Sequence, residues 1–288
     1  MAALLALILS LAVVGVGRPD TTLVEEFSFG SFVDATRLLV TADGSVLVTD
    51  AGQHRLFVFA TPRDAPRSVG GYGWLPGSFD IPTGVATDGV NIYVSDYGNH
   101  RVQRFDRTLN YISTLLTRDT SDAMLRFGYP LGVAMSGFGD LLILDGENHR
   151  VLKFTAGSRF DPMFASAGIN RGILSALVKV CVTPSGTVIV GEKGVLHVLD
   201  LFGNELHAVR DSSLSDLRGL DADDRSLVAV TESGLLWMSS DGSNLRQIPA
   251  AAILGERPVG RIHDVALRGE RVYVLTPDRI LVFRTTSN

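Results

Sequence analysis

The sequence predicts an all-β fold, a six-bladed β-propeller, from one repeated motif. The segment VLVTDAGQHRLFVF at 46–59 recurs as IYVSDYGNHRVQRF at 92–105 and as LLILDGENHRVLKF at 141–154. Each copy is a β-branched run ending in Asp, a short turn and a second alternating run, which is the pattern of two consecutive antiparallel strands. Degenerate copies, VIVGEKGVLHVLD, VAVTESGLLWMSS and VYVLTPDRILVF, bring the count to six. A spacing of roughly 40 to 50 residues is typical of propeller blades.

Each blade is expected to have four strands, counted outwards from the ring axis. The blades are predicted near residues 30–72, 73–119, 120–168, 169–212, 213–254 and 255–288. Their inner strands are predicted near 38–41, 84–87, 132–135, 180–183, 219–222 and 264–267. The last blade has too few residues left for its own outer strand. We therefore expect TTLVEEFSF at 21–29 to pair with 280–283 and close the ring.

The second blade carries a recognisable family pattern. GSFDIPTGVATDGVNIYVSDYGNHRVQRFD, from Gly77 to Asp106, resembles the NHL repeat: a Phe, a Pro, a GVA strand, an Asp-Gly turn, then Asp, Asn-His-Arg and a closing Phe. FGYPLGVAMSGFGDLLILDGENHRVLKF keeps this pattern in the third blade. The resemblance implies an NHL-type propeller. Such propellers serve as binding platforms, receptor ectodomains and a few enzymes, so the resemblance predicts a fold and not a reaction.

Composition and the N-terminal residues predict the number of domains, the class of partner and the cellular location. The chain has 288 residues, 45% hydrophobic and 20% charged, which suits one core-rich domain at 18–288. A net charge of −5 gives no general attraction to phosphate backbones, so we expect no nucleic-acid partner. Residues 1–17 are apolar and predict either a cleaved signal peptide or a hydrophobic anchor over 2–17, the only expected membrane contact. Both interpretations predict an exported protein, periplasmic, cell-surface or secreted.

The strong repeats place Asp and Arg on the two sides of a tight turn. These pairs are interpreted as structural pins, because a bidentate contact is feasible there: Asp50 with Arg55, Asp96 with Arg101, and Asp145 with Arg150. The intervening histidines, His54, His100 and His149, occupy the same place in three different blades. They are therefore interpreted as a feature of the repeat and not as a metal triad.

The starts of the inner strands are where related catalytic propellers, such as peptidyl-hydroxyglycine lyases and gluconolactonase-like hydrolases, hold a metal. Here these positions offer one imidazole, His263, while Arg37, Lys179 and Arg218 would repel a cation. We expect no metal and no cofactor. A metal-dependent propeller enzyme with its site at the channel mouth remains the alternative function.

The same basic residues leave two interpretations open. Arg37, Lys179, Arg218 and His263 could converge on a small anion or an acidic peptide tail. Alternatively, each could pair with a local carboxylate, such as Asp34, Asp216 or Asp264.

Aromatic residues in the blade connections suggest a binding surface. Tyr72, Trp74, Tyr97 and Tyr129 are expected on one face of the ring, where they would form an apolar patch typical of protein interfaces. The alternative is that Trp74 folds back on its blade. The sequence thus predicts a non-catalytic extracytoplasmic platform that binds other proteins, as a subunit or accessory part of a larger assembly.

Overall fold

The computed structural model describes residues 21–156, 158–165, 174–257 and 260–287. The leader predicted at 1–17 lies outside the described residues. Six four-stranded antiparallel sheets are arranged around one axis. The predicted six-bladed propeller is therefore confirmed. Within the described ranges, no helix has the length and apolar character needed to span a membrane.

The strands of each blade follow one another outwards from the axis. Blade 1 contains β2 (Ala35–Val40), β3 (Val46–Asp50), β4 (Arg55–Phe59) and β5 (Arg67–Gly70). Blade 2 contains β6 (Pro82–Thr87), β7 (Asn91–Asp96), β8 (Arg101–Asp106) and β9 (Tyr111–Leu115). Blade 3 contains β10 (Pro130–Met135), β11 (Leu141–Asp145), β12 (Arg150–Thr155) and β13 (Arg159–Phe160), followed by the short helix α1 (Pro162–Ala165).

The second half of the ring repeats this order. Blade 4 contains β14 (Leu177–Val182), β15 (Val188–Glu192), β16 (Val195–Leu199) and β17 (Glu205–Arg210), followed by a 3-10 turn (Ser212–Leu214). Blade 5 contains β18 (Gly219–Ala222), β19 (Ser226–Thr231), β20 (Gly234–Ser239) and β21 (Arg246–Pro249), followed by α2 (Ala250–Leu254). Blade 6 contains β22 (Asp264–Arg268), β23 (Arg271–Leu275) and β24 (Ile280–Ser287).

Blade 6 obtains its outer strand from the other end of the described chain. Strand β1 (Thr21–Phe29) pairs antiparallel with β24, from Thr22 opposite Thr286 to Phe29 opposite Ile280. This pairing covers a strand edge that would otherwise present unpaired N–H and C=O groups. The predicted closing strand is confirmed, and its pairing extends beyond 280–283.

The hydrophobic core lies between the blades. Six clusters of buried side chains each join residues of two neighbouring blades. Phe79 and Phe127 are fully buried members at the interfaces of blades 1 and 2 and of blades 2 and 3. Burying a side chain of this size stabilises a fold by about 1.5–3 kcal/mol. The repeated Phe thus fixes the distance between adjacent blades.

The antiparallel order gives the ring two different faces. Turns between the first and second strands of every blade emerge on one face, here called the lower face. Turns between the second and third strands, and the connections from one blade to the next, emerge on the opposite, upper face. The aromatic site residues predicted from the sequence lie on the upper face, and Arg37, Arg218 and His263 lie at its central channel mouth.

Candidate functional site: the upper face of the ring

The connection that enters blade 2 is held by one arginine. Nε of Arg101 donates to the buried carboxylate of Asp96 at 2.8 Å. Nη1 of the same guanidinium donates to the carbonyl of Trp74 at 2.7 Å, and Nη2 donates to those of Leu75 and Ser78 at 3.2 and 2.9 Å. Hydrogen bonds that involve a charged group are about twice as strong as neutral ones. Arg101 therefore fixes the backbone of this connection as well as pairing with Asp96.

Side chains of the same connection project into solvent. Tyr72, Trp74 and Leu75 are 77, 80 and 70% exposed. Trp74 therefore does not fold back on its blade. The Tyr72 ring packs edge-on against His54 of blade 1, with ring centroids 5.1 Å apart. A large apolar area is thus displayed on a backbone that hydrogen bonds hold in place.

A second aromatic pair lies on the same face where blades 2 and 3 meet. The rings of Tyr97 and Tyr129 have centroids 5.1 Å apart, and Tyr129 also contacts the His100 ring, with centroids 4.0 Å apart. Tyr97 is half-buried and Tyr129 remains partly exposed. We call the residues Tyr72, Trp74, Leu75, Tyr97 and Tyr129 the aromatic surface.

The repeated histidines hold one blade to the next. The backbone N–H of Ile81 donates to Nδ1 of His54, and that of Tyr129 donates to Nδ1 of His100, each at 3.1 Å. Ile81 and Tyr129 have φ angles of 57° and 47°, a region that costs L-residues free energy and is unusual for a β-branched side chain. Each histidine therefore accepts from a strained residue of the following blade. His149, in blade 3, is exposed.

The three Asp–Arg pairs differ in their contacts. In blade 3, Nε of Arg150 donates to Asp145 at 3.0 Å, as Arg101 does to Asp96 in blade 2. The pin expected between Asp50 and Arg55 is wrong: these residues lie opposite each other in the β3–β4 ladder but form no ion pair. Gln53 donates to Asp50 at 3.0 Å instead.

Arg55 donates to the hydroxyl of Ser68 at 3.3 Å. The segment before β2 meets Asp50 directly, through the N–H groups of Val33 and Asp34 at 2.8 and 3.0 Å. The long connection whose carbonyls surround Arg101 in blade 2 has no counterpart there, because only residues 30–34 separate β1 from β2.

The channel mouth brings three of the four predicted basic residues around one cavity of about 350 Å³. Arg37, Arg218 and His263 line it. The fourth, Lys179, donates to both carboxylate oxygens of Asp264 at 2.6 and 2.8 Å. Lys179 and Asp264 therefore neutralise each other.

The other basic residues have different partners. Nη2 of Arg37 reaches across the ring to the carbonyl of Val178 in blade 4 at 2.8 Å. Arg218 lies 3.6 Å from Glu232, which was not among the local carboxylates considered as partners. Nδ1 of His263 donates to the carbonyl of Ala35 at 2.7 Å and lies 4.0 Å from Asp34.

The channel continues below the mouth as a cavity of about 180 Å³ lined by Lys179, Cys181 and Asp221. Burial raises the pKa of Asp221 to about 6, although nearby Lys179 opposes this rise. Burial also raises the pKa of the Cys181 thiol well above its ordinary value. Cys181 is therefore a neutral thiol.

The side chains at the channel mouth do not provide the ligands that a metal ion needs. In the described part of the chain, no group of three or more His, Cys, Asp or Glu side chains is arranged to hold a metal ion. His263 directs Nδ1 to a backbone carbonyl, Asp264 binds Lys179, and Arg37 adds a positive charge. Sequence reasoning missed Thr36, whose hydroxyl donates to the carbonyl of Pro82 at 2.9 Å at the rim of this cavity.

A larger cavity of about 570 Å³, also missed, opens on the lower face between blades 1, 2 and 3. The turns between first and second strands form its wall, with Asp43, Arg67 and Arg107 among the lining side chains. The turn residues that build it are common to most propeller blades, so the sequence contained no distinguishing signal for this cavity.

Comparisons with known proteins agree with this architecture. A sequence profile of the NHL repeat matches residues 79–105 and 127–154, which lie in blades 2 and 3. Protein brain tumor of Drosophila melanogaster is 29% identical over 111 residues, which is 37% of this chain. The matched segment is only 11% of that relative's length.

Solved enzyme structures share the fold at low identity. Virginiamycin B lyase from Staphylococcus aureus, determined with quinupristin, superimposes with a TM-score of 0.59 at 12% identity, covering 87% of this chain and 80% of the lyase. A gluconolactonase from Xanthomonas campestris superimposes with a TM-score of 0.66 at 14% identity, covering 96% of this chain and 94% of that enzyme. Such identities establish the common fold alone. This chain therefore contains two NHL repeats, which form much of blades 2 and 3 of a six-bladed β-propeller.

Proposed function

We propose that this propeller is a non-catalytic interaction platform that binds another protein through the aromatic surface of blades 2 and 3. One observation carries the proposal. Trp74 is 80% exposed, yet the carbonyl of the same residue is hydrogen-bonded to the buried Arg101. Three hydrogen bonds from Arg101 thus hold in position the backbone that displays an exposed apolar side chain.

Preorganisation is what makes such a surface effective. Binding costs free energy when side chains and loops must be ordered, and a backbone already fixed by three hydrogen bonds from one guanidinium loses little further freedom. Tryptophan and tyrosine bury large areas with few rotatable bonds, so they dominate binding hot spots. Tyr97 and Tyr129 extend this surface on the same face.

The metal-dependent enzyme is the competing function, and it rests on the fold shared with the lyase and the gluconolactonase. The residues at the channel mouth do not support it, because Arg37 and Arg218 line the cavity where a cation would lie. Elemental analysis of the purified protein separates the two functions. One tightly held zinc or calcium ion per chain would favour the enzyme.

The proposed setting is extracytoplasmic. The apolar run Ala2 to Gly17, which contains no charged residue, has the length and small-residue ending of a secretory leader. The partner would then be an exported or envelope protein, and the propeller a subunit or accessory part of its assembly.

Affinity capture tests the platform. The wild type is used to isolate partners, which are identified by mass spectrometry and then titrated as purified proteins against wild type and Trp74→Ala. We expect Trp74→Ala to raise the dissociation constant by about fivefold or more, the scale of an interface hot spot. The control is Phe138→Ala, because Phe138 is 78% exposed on the lower face. Equal weakening by both variants, or by neither, would place the binding surface elsewhere.

A further inference from the structure

The channel mouth contains an arginine whose hydrogen bonds are incomplete. Nη1 and Nη2 of Arg37 donate to the carbonyls of Thr36 and Val178 at 2.9 and 2.8 Å. Nε of Arg37 is buried and has no partner among the described residues. Arg37 lines the 350 Å³ mouth cavity, and the carbonyls of Thr36 and Val178 take only one hydrogen each from Nη1 and Nη2.

The charge of Arg37 is also unpaired. Within the described residues, no carboxylate lies within ion-pair distance of this guanidinium, although its partial burial lowers its pKa. The nearest charged carboxylate that affects it, Asp264, uses both oxygens on Lys179 and accepts the N–H of Leu38. A guanidinium removed from water without a counter-ion is costly, and an anionic ligand would offset that cost.

The remaining carboxylates at the mouth do not fill this role. Glu232 is exposed and lies 3.6 Å from Arg218, and Asp34 is exposed and lies 4.0 Å from Nδ1 of His263. Exposed pairs of this kind contribute little, so Arg218 can also turn to a ligand. Asp221 lines the deeper cavity and not the mouth.

We propose that the channel mouth binds a carboxylate group, with Arg37 as its main partner and Arg218 at the rim. The planar carboxylate would accept from the remaining hydrogens of Nη1 and Nη2, a bidentate arrangement that guanidinium and carboxylate groups favour. Arg37 would take one carboxylate, and Arg218 at the rim could take the second carboxylate of a dicarboxylate such as glutarate. The ligand is either a small organic acid or the acidic end of a peptide. The inference does not depend on the aromatic surface.

Titration calorimetry of the full chain tests this site. The probes are glutarate, the uncharged glutaramide, inorganic phosphate, and one pentapeptide prepared with a free and with an amidated C-terminus. We expect glutarate to bind and glutaramide not to bind. Arg218→Gln should weaken glutarate binding by about tenfold, the scale of one charge-assisted hydrogen bond, and Arg37→Gln by more. Arg225→Gln is the matched control, since Arg225 is exposed on the lower face of the same blade as Arg218.

Melting temperatures separate lost binding from lost folding. If Arg37→Gln does not fold, the comparison of Arg218→Gln with Arg225→Gln decides the proposal. Absence of glutarate binding up to millimolar concentration, binding of glutaramide or phosphate as tight as that of glutarate, or equal effects of the two Gln variants would each overturn it. Tighter binding of the free-carboxylate peptide than of glutarate would identify a peptide end as the source, whereas the reverse order would identify a small acid. Trp74→Ala should bind glutarate like the wild type, which separates this site from the proposed platform function.

Discussion

Arg101 and Trp74 are linked by a hydrogen bond of 2.7 Å from a largely buried guanidinium to the carbonyl of a residue whose indole is exposed. Stability and recognition are therefore coupled in blade 2. The guanidinium that stabilises the buried carboxylate of Asp96 also determines where the indole is displayed.

Arg101→Ala is the first test of this coupling. The variant leaves Asp96 buried without its charged partner and removes one donor from each of three backbone carbonyls, so we expect the free energy of unfolding to fall by about 1–3 kcal/mol. Arg55→Ala is the matched control, because Arg55 occupies the same repeat position in blade 1 but forms no ion pair with Asp50. Denaturant unfolding measures both. Equal decreases in the free energy of unfolding of the two variants would show that the contact with Asp96 does not contribute to stability.

Ring closure gives the second prediction. Removal of Thr21–Phe29 would expose the edge of β24, which pairs with β1 along its length. Exposed strand edges recruit other chains, so we expect oligomers or aggregates in size-exclusion chromatography. Glu26→Gln is the control: it removes the charge that pairs with Arg271 and Arg284, each at 2.7 Å, but keeps the strand. A monomeric truncation with an unchanged melting temperature would contradict the role of β1.

The third prediction concerns pH and His100. Burial, together with the positive charge of Arg118, lowers the pKa of His100 below its ordinary value of 6.5. The unfolded chain therefore binds a proton more readily than the folded one, and stability falls as the pH drops through 6.5 towards the lower folded pKa. Protonation also removes the Nδ1 acceptor for the N–H of Tyr129.

The melting temperature measures this effect in wild type and His100→Asn at pH 7.5 and pH 5.5. Loss of one hydrogen bond costs about 1 kcal/mol, or about 2–4 °C in a domain of this size. Between pH 7.5 and pH 5.5, we expect the melting temperature of the wild type to fall by about 2–4 °C more than that of the variant. Parallel losses in the two proteins would mean that His100 is not responsible.

The sequence predicted the parts of the molecule that depend on local pattern. Strand alternation, Asp-Gly turns and the repeated Phe are short-range features, and they were sufficient for the six blades. Contacts between distant segments were not predictable. Asp50 and Arg55 have the same spacing as Asp96 and Arg101, but blade 1 lacks the long preceding connection whose carbonyls surround the guanidinium in blade 2.

The channel mouth shows the same limit. The sequence placed Arg37 at the start of an inner strand, but its contact with Val178, 141 positions away, depends on ring closure. Which of the basic residues would be neutralised was likewise undetermined. Lys179 meets Asp264 only because blades 4 and 6 approach each other across the axis.

The last prediction uses two glycines that the sequence cannot distinguish. Gly84 and Gly132 both begin a GVA motif in an inner strand. A Cβ on Gly84 would lie 2.7 Å from Cα of Gly132 and 2.9 Å from the backbone N of Val133, whereas a Cβ on Gly132 would meet nothing within 4 Å. The contacts of Gly84 are with the backbone of the neighbouring blade, which cannot move aside without shifting that strand.

We therefore expect Gly84→Ala to destabilise the fold by about 1–3 kcal/mol, the usual cost of overpacking. Gly132→Ala should be neutral or slightly stabilising, because alanine restricts the unfolded chain and fits the available space. Denaturant unfolding of the two variants provides the measurement, with each serving as the control of the other. Similar destabilisation by both would show that the inner strands of blades 2 and 3 are not packed as closely as the Gly84 contacts indicate. A loss confined to Gly84→Ala would establish that backbone contact at the axis, in addition to the buried Phe residues, sets the spacing of these blades.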